Sequence, residues 1–275
     1  MPTMRFDDAI DHALAEAMAR DERIVVFGED VPMLRPALYT RFGDKRVMPA
    51  PISEAAFLGA AVGAAMAGLR PVAELMMVDF VAVAMDAVLN NMAKLEGFSG
   101  GRWRCPLVVR APCGAGYGDG GQHGQTLWGM LAGIPGLTVL VPSTPADAAG
   151  LMASALDEEG PVFFMEHKLL SRSWLDFLGR CGRETVDFDV PGAGADGEVP
   201  VPIIPVPIGQ AVVRREGTDL TVASLAVGVH RALEGAARLE GAVSCEVIDL
   251  RSVRPLDAET VVASVRKTGR LLVVD

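Results

Sequence analysis

Short apolar segments alternate with longer helical patterns along most of this 275-residue sequence. "RIVVFGED", "RPVAELMM", "CPLVVRAP" and "PVFFMEH" are short and largely apolar, as expected for buried strands. Between them lie segments such as "FDDAIDHALAEAMAR", whose apolar residues recur at helical spacing. Strands buried on both faces and separated by helices predict the α/β class, with a mostly parallel sheet covered by helices.

The same patterns divide the chain into two units. Residues 1–178 carry the first series of strands and helices, in which residues 78–98 are predicted as one long helix. Residues 179–209 contain five prolines and several glycines, which predicts a linker or an extended crossover. Residues 210–275 form a second, smaller α/β unit with "DLTVASLA", "SCEVIDLRS" and "RLLVVD" as its strands.

Composition excludes several classes of function. The formal net charge is −10, with Lys and Arg scattered, which argues against a nucleic-acid or anionic membrane partner. The longest uncharged run falls short of the roughly 18 residues of a membrane helix, and no basic leader opens the sequence. The cysteines lack CxxC spacing, which indicates reduced thiols, a cytoplasmic location and no structural zinc. They are Cys105, Cys113, Cys181 and Cys245.

A glycine-rich loop, residues 113–125, contains a G-x-G-x-x-G pattern at Gly116, Gly118 and Gly121. A dinucleotide site needs these glycines directly after a strand and an acid at the end of the next strand. Here the preceding strand stops well before Gly116, and the next one runs into Pro142. The pattern therefore argues against a dinucleotide site.

A single carboxylate, Glu54, precedes a stretch without any charged or hydroxyl side chain, residues 55–68. Ser53 is suited to the N-cap of a helix, and an acid in the first turn is favoured by the helix dipole by about 0.3–1 kcal/mol. That explanation is sufficient by itself. The alternative is a functional carboxylate of perturbed pKa in a tight interface, since Gly59 and Gly63 allow close packing.

Several motifs in consistent order resemble one protein family. They include "PISE" before a small-residue helix, "AMAGLRPVAELMMVDF", "CPLVVRAPCGAGYGDGGQHGQ" and "DLRSVRPLD". Together they are similar to the β subunit of the E1 component of 2-oxo acid dehydrogenase complexes, which covers pyruvate, branched-chain 2-oxo acid and acetoin dehydrogenases. The resemblance implies a transketolase-like pyrimidine-binding domain in residues 1–178. It also implies an incomplete transketolase C-terminal-like domain in residues 210–275.

The resemblance assigns roles to four residues. It implies that Glu54 hydrogen-bonds N1′ of the aminopyrimidine of thiamine diphosphate and activates the cofactor for removal of its C2 proton. Met76 and Phe80 match residues that line the aminopyrimidine pocket. His123 matches an active-site histidine that binds substrate or assists acyl transfer to a lipoyl group. The other histidines, His12, His167 and His230, are expected to be structural.

The resemblance also implies shared cofactors and partners. Gly118–Gly120 begin a diphosphate and Mg²⁺ motif, but the asparagines of the chain, Asn90 and Asn91, both lie upstream of it. No metal ligand set is therefore expected here, and the α subunit is implied to hold the diphosphate and most of the Mg²⁺. Further implications are an α2β2 heterotetramer, inactivity without the α subunit, a lipoyl domain of E2 as acyl acceptor, a 2-oxo acid substrate, and a potassium site near "SALDEEGP".

The sequence departs from the family pattern at two places. The segment after "GEDV" is shorter and lacks the Asp-Thr pair before "PIS", and the C-terminal domain is roughly 50 residues shorter than usual. Two alternatives follow. One is the pyrimidine-binding half of a split transketolase-like enzyme, although residues 51–54 and 113–125 offer no basic side chain for a sugar phosphate. The other is a non-catalytic α/β interaction subunit, which the presence of Glu54 and His123 disfavours.

Overall fold

The computed structural model of the protein describes residues 1–115, 120–178 and 189–275. Its strands are β1 (Thr3–Arg5), β2 (Ile24–Gly28), β3 (Val47–Pro49), β4 (Arg70–Glu74), β5 (Val108–Cys113), β6 (Thr138–Leu140), β7 (Val162–His167), β8 (Asp196–Glu198), β9 (Val212–Arg215), β10 (Leu220–Ser224), β11 (Cys245–Asp249), β12 (Ser252–Arg254) and β13 (Leu271–Val274). Its α-helices are α1 (Phe6–Arg20), α2 (Val31–Leu34), α3 (Pro36–Phe42), α4 (Glu54–Met66), α5 (Leu95–Phe98), α6 (Trp128–Ala132), α7 (Pro145–Asp157), α8 (Arg172–Leu178), α9 (Gly192–Ala195), α10 (Ala226–Arg238) and α11 (Ala258–Thr268).

The larger sheet has seven strands in the described part of the chain, in the order β12-β6-β7-β5-β4-β2-β3. All neighbouring pairs are parallel except β12 with β6. The central strands β5 and β7 are buried along their whole length, as parallel strands covered on both faces must be. The predicted α/β fold with a mostly parallel sheet is confirmed.

Helices α1 and α7 pack against each other, while α4 packs on β4 and on the segments that follow it. In α1 the buried residues Phe6, Ile10 and Leu14 recur every four positions, so one apolar face meets the core. The apolar faces of these helices therefore pack on the larger sheet.

The prediction of one long helix over residues 78–98 is wrong. The structure has a 3₁₀-helix at Val78–Ala84, a π-helical segment at Asp86–Met92 and then α5. Buried Val78, Val81 and Ala84 lie three positions apart, a spacing that keeps one face inward only at three residues per turn. The tight 3₁₀ turn therefore follows from burial of that face.

The second sheet has the order β13-β10-β11-β9 in the described part of the chain, with α10 and α11 packed on it. The predicted strand "SCEVIDLRS" is confirmed as β11 but is shorter than predicted, because it ends at Asp249 and Ser252 already begins β12. Arg251 adopts a left-handed backbone with φ of 60°, which turns the chain out of the smaller sheet. β12 then pairs antiparallel with β6, Ser252 opposite Leu140. The second unit thus contributes an edge strand to the first.

The proline-rich segment after residue 188 runs along the first unit. β8 pairs antiparallel with β1, Thr3 opposite Glu198. Further on, the Val206 amide donates to the Gly150 carbonyl at 3.0 Å, and the Ser154 hydroxyl donates to the Val206 carbonyl at 2.6 Å. Residues 179–188 of the predicted linker lie outside the described residues.

Three cysteines of the described chain, Cys105, Cys113 and Cys245, are free and buried, and Cys181 lies outside the described residues. Burial raises the pKa of the Cys105 and Cys113 thiols to about 12. Thiols of such high pKa are poor nucleophiles at neutral pH. Within the same described ranges, none of the helices combines the length and the apolar character needed to cross a bilayer.

Candidate active site

The strand order sets the position of the candidate site. The chain leaves β2 for β3 on one side and then crosses to β4 on the other side of β2. In open α/β sheets, ligands bind outside the carboxyl ends of the strands at such a switch point. Glu29 directly follows β2, Met76 follows β4, and α4 begins with Glu54 after β3. These three residues therefore belong to the same edge of the sheet.

Two carboxyl groups, those of Glu29 and Glu54, meet at this switch point. Each side chain is only 6% exposed. Burial, the neighbouring Glu54 charge and a hydrogen bond to Glu54 raise the pKa of Glu29 to about 7. Oε1 of Glu29 has no hydrogen-bond partner among the described residues. Because two buried carboxylates repel each other, the pair can hold one proton at neutral pH.

Local backbone geometry explains how this pair forms. A Cβ at Gly28 would lie 2.2 Å from the Glu74 carbonyl oxygen, so glycine permits the close approach of β2 and β4. Asp30 then turns the chain with φ of 51°. Ser53 occupies the predicted N-cap position of α4, but its side chain makes no capping hydrogen bond, since only its carbonyl accepts bonds from the amides of Ala56 and Phe57.

Glu29 was missed in the sequence. Its signal was present, since it is a polar residue placed immediately after a buried strand. The sequence does not show that Glu29 lies next to Glu54, because the two residues are brought together only by the pairing of β2 with β3.

The second predicted catalytic residue, His123, ends a short 3₁₀-helix, Gly121–His123, in the loop that follows β5. Its imidazole meets the ring of Phe80 edge-on, with 5.6 Å between ring centroids and 70° between planes. The Lys168 ammonium donates a hydrogen bond to the His123 carbonyl at 2.6 Å. The backbone and side-chain amides of Gln125 donate to Asp79 at 3.2 and 2.8 Å. The loop is thus tied to both β7 and the 3₁₀-helix.

The structure brings Phe80 against His123 and Glu54 against Glu29, all at the carboxyl edge. Met76 and Phe80 are half-buried. Gly116 and Gly118, two glycines of the G-x-G-x-x-G pattern, lie outside the described residues. The described ranges contain no cluster of three or more His, Cys, Asp or Glu side chains able to hold a metal ion.

The remaining histidines have other partners in the structure. His12 contacts Glu16 at 3.2 Å on the surface of α1. His230 Nε2 lies 2.7 Å from the Ser143 carbonyl oxygen. Burial and the Lys168 charge lower the pKa of His167 to about 4, so its imidazole is neutral. A Cβ at Gly114 would lie 2.2 Å from His167 Nε2, which shows how tightly His167 is packed.

A buried ion network connects the strands that carry the site, and no local pattern in the sequence indicates it. Arg110 Nε donates to Glu166 at 2.8 Å, and its Nη1 donates to Asp11 at 2.6 Å. Arg35, after β2, donates to Glu74 at 3.1 Å. Burial alone would raise the pKa of Glu166, but the guanidinium groups of Arg110 and Arg35 hold it below its usual value. The network fixes the segment that carries Glu29 to β4, β5 and β7.

Comparison with known proteins identifies both units. Residues 3–173 match the family described as "Transketolase, pyrimidine binding domain" and residues 209–275 match "Transketolase, C-terminal domain". The "2-oxoisovalerate dehydrogenase subunit beta" of Bacillus subtilis (strain 168) is 40% identical over 281 residues, covering 100% of this chain and 80% of that protein. The "Pyruvate dehydrogenase E1 component subunit beta" of the same organism is 39% identical, with the same two coverages.

Among solved structures, one described as "Split gene transketolase, inactive beta4 tetramer" superposes with a TM-score of 0.76 at 23% identity. It covers 98% of this chain and 79% of the other. At that identity the likeness establishes the fold alone. The full-length similarity to dehydrogenase β subunits is closer, at 40% and 39% identity. The chain therefore belongs to the transketolase-like family that includes the E1 β subunits of the 2-oxo acid dehydrogenases.

Proposed function

We propose that this chain is the β subunit of a thiamine diphosphate-dependent 2-oxo acid dehydrogenase E1, in which Glu54 activates the cofactor. The family supports this assignment, because the two Bacillus subtilis relatives carry β-subunit names and match the whole chain. The observation that carries it is the burial of Glu54 beside Glu29 at the switch point of the sheet.

The residues at this edge suit an aminopyrimidine. Glu54 offers a buried carboxyl group, and Oε1 of Glu29 is a buried atom without a hydrogen-bond partner among the described residues. Phe80 and Met76 add partly buried apolar surface for a flat ring. A ligand with ring nitrogens and an amino group would complete the hydrogen bonds that these carboxyl groups leave open.

Thiamine diphosphate, when bound, supplies the electron sink that lets a 2-oxo acid lose carbon dioxide. The contribution of this chain is to present the Glu54 carboxyl group to a weakly basic ring nitrogen. Such a hydrogen bond is strongest away from water, and the residues after Glu54 are apolar from Ala55 to Gly68. Burial and the neighbouring Glu54 charge raise the pKa of Glu29 to about 7, so Glu29 can carry a proton at neutral pH.

His123 is proposed to bind the 2-oxo acid or to assist acyl transfer to a lipoyl group of E2. Support comes from its place on the loop at the carboxyl end of β5 and from its contact with Phe80. A half-buried imidazole held by its backbone carbonyl can present a donor or acceptor with little loss of rotational freedom.

An α subunit is proposed to complete the site. It would hold the diphosphate and most of the Mg²⁺ in an α2β2 heterotetramer, and the β chain alone would be inactive. The exposed face of α4 suits a close helix contact, since nothing lies within 4 Å of a Cβ built at Gly59 or Gly63. A potassium site near residues 154–161 and a cytoplasmic location complete the proposal.

Reconstitution tests the proposal. The chain is mixed with its α partner, thiamine diphosphate and Mg²⁺, and decarboxylation of pyruvate, branched 2-oxo acids and acetoin cleavage are measured. We expect activity with one of them and a loss of about 10²-fold or more in Glu54→Gln. The matched control is Glu259→Gln, an exposed acid in the first turn of α11. Equal turnover by Glu54→Gln and wild type would refute the activating role.

A further inference from the structure

Lys168 is a buried cation to which the proposed function gives no role. It follows β7, and its side chain is 0% exposed. Its backbone amide donates to the Cys113 carbonyl at 2.9 Å, which fixes Lys168 between the carboxyl ends of β5 and β7. Its ammonium group donates to the His123 carbonyl at 2.6 Å. The side chain thus connects the rigid sheet to the loop that carries the proposed catalytic histidine.

Burial of an ammonium group is costly unless strong acceptors surround it. Arg110, which is also fully buried, is paired with the carboxylates of Glu166 and Asp11. One contact of the Lys168 ammonium group is with the carbonyl of His123, a backbone oxygen of a glycine-rich loop. A hydrogen bond from a charged donor is roughly twice as strong as a neutral one, so this contact can hold the loop against its flexibility.

The loop needs such a restraint. Residues 120–125 include glycines at 120, 121 and 124, which retain more backbone freedom than other residues. The His123 amide contacts the Gly120 carbonyl at a long 3.3 Å, and the loop ends where Gln125 bonds to Asp79. The carbonyl carbon of His123 is bonded directly to its Cα, so fixing the carbonyl oxygen restricts the backbone from which the imidazole reaches Phe80.

We propose that Lys168 is a positioning residue for His123, which holds the imidazole in its working orientation through the backbone carbonyl. This inference rests on the proposed function for the role of His123, but the contact itself can be tested without activity.

The first test uses hydrogen–deuterium exchange on the full chain. Lys168→Met removes the ammonium and keeps a side chain of similar length. We expect exchange of the peptide covering residues 120–127 to rise about tenfold or more, because a hydrogen bond to a charged group is lost. The control is Lys45→Met, since Lys45 is exposed. Unchanged exchange in Lys168→Met would overturn the inference.

The second test is a double-mutant cycle in the reconstituted complex. Lys168→Met is expected to lower kcat with little change in KM for the 2-oxo acid. In the His123→Ala background the same change should cost no more than about twofold, because residues acting through one group are not additive. Independent losses that multiply in the double variant would contradict the positioning role.

Lys168→Arg retains a cationic donor and is expected to keep kcat and loop exchange near those of the wild type. If Lys168→Met lowers the folded fraction, the cycle is run with the polar variant Lys168→Gln and His123→Ala, and the same non-additivity is expected. An inactive wild-type complex would count against the proposed function while the exchange test still decides the contact. An active complex whose folded Lys168→Met or Lys168→Gln variant behaves like wild type would overturn this inference alone.

Discussion

The carboxyl group of Glu29 lies next to that of Glu54 at the switch point of the larger sheet, where burial and the neighbouring Glu54 charge raise the pKa of Glu29 to about 7. One follows β2 and the other opens α4, and both are buried. Their pairing places a first-turn acid beside a second buried carboxyl group. This relationship distinguishes a functional interpretation of Glu54 from simple stabilisation of a helix dipole.

The pair predicts an unusual pH dependence of stability. The pKa of Glu29 rises from its ordinary 4.5 to about 7 on folding. Its contribution to stability is therefore fully present below pH 4.5 and is lost as the pH rises through about 7. Relative to Glu29→Gln, the wild-type free energy of unfolding should fall by about 1–3 kcal/mol between acidic and mildly alkaline pH. Urea denaturation at several pH values measures this difference.

The control for that experiment is Glu259→Gln, which should keep the wild-type pH profile because Glu259 is exposed. If the profile of Glu29→Gln runs parallel to that of the wild type, the raised pKa is wrong.

The buried ion network predicts a large loss of stability on removal of one member. Arg110→Met leaves Glu166 and Glu74 buried with less compensation, since Arg110 contacts both. Breaking a buried pair in this way typically costs about 3–5 kcal/mol. Urea denaturation should show that loss in the free energy of unfolding. Arg23→Met removes a comparable but exposed pair with Asp21 and should change stability little. Similar effects of both variants would contradict the account.

The glycines of α4 predict opposite effects on folding and assembly. A methyl group added at Gly59 or Gly63 would have no atom within 4 Å. Each alanine substitution should therefore raise helix stability by up to about 1 kcal/mol. The same methyl groups would obstruct a close helix contact, and we expect weaker association with the α partner in sedimentation experiments. Gly235→Ala in α10 is the matched control, since it also meets nothing within 4 Å. If Gly59→Ala and Gly63→Ala associate with the α partner as tightly as the wild type does, the close helix contact does not lie at these glycines.

Much of the fold could be predicted because buried parallel strands leave a strong local signal. The runs that became β2, β4, β5 and β7 are apolar on both faces and have helices between them. The 3₁₀ and π-helical segments at Val78–Ala84 and Asp86–Met92 could not be predicted, because apolar residues at mixed spacings also fit an α-helix. Their geometry depends on which face tertiary packing buries.

Contacts between segments that are far apart in the sequence could not be predicted from local sequence patterns. β12 joins the larger sheet through Ser252 and Arg254, although the sequence around it continues the smaller unit. Likewise, the segment after Asp30 places Arg35 in the ion network with Glu74. Such pairings depend on strand order and long-range packing, which no local pattern of charge or hydropathy records.

For the site, the sequence and its resemblance indicated Glu54, Phe80 and His123, and the structure adds neighbours that were not anticipated. Glu29 lies against Glu54, and Lys168 holds the His123 carbonyl. The roles of these residues stay predictions. A carboxylate and a lysine in a sequence look like ordinary surface charges until their burial is known.

The most direct test of the account is hydrogen exchange at C2 of thiamine diphosphate bound to the assembled complex, followed by NMR after rapid quenching. With Glu54 intact we expect fast exchange, and with Glu54→Gln we expect it to slow by about 10²-fold or more while the cofactor stays bound. The Glu259→Gln complex should exchange like the wild type. Equal exchange rates in wild type and Glu54→Gln would contradict the claim that this buried acid activates the cofactor.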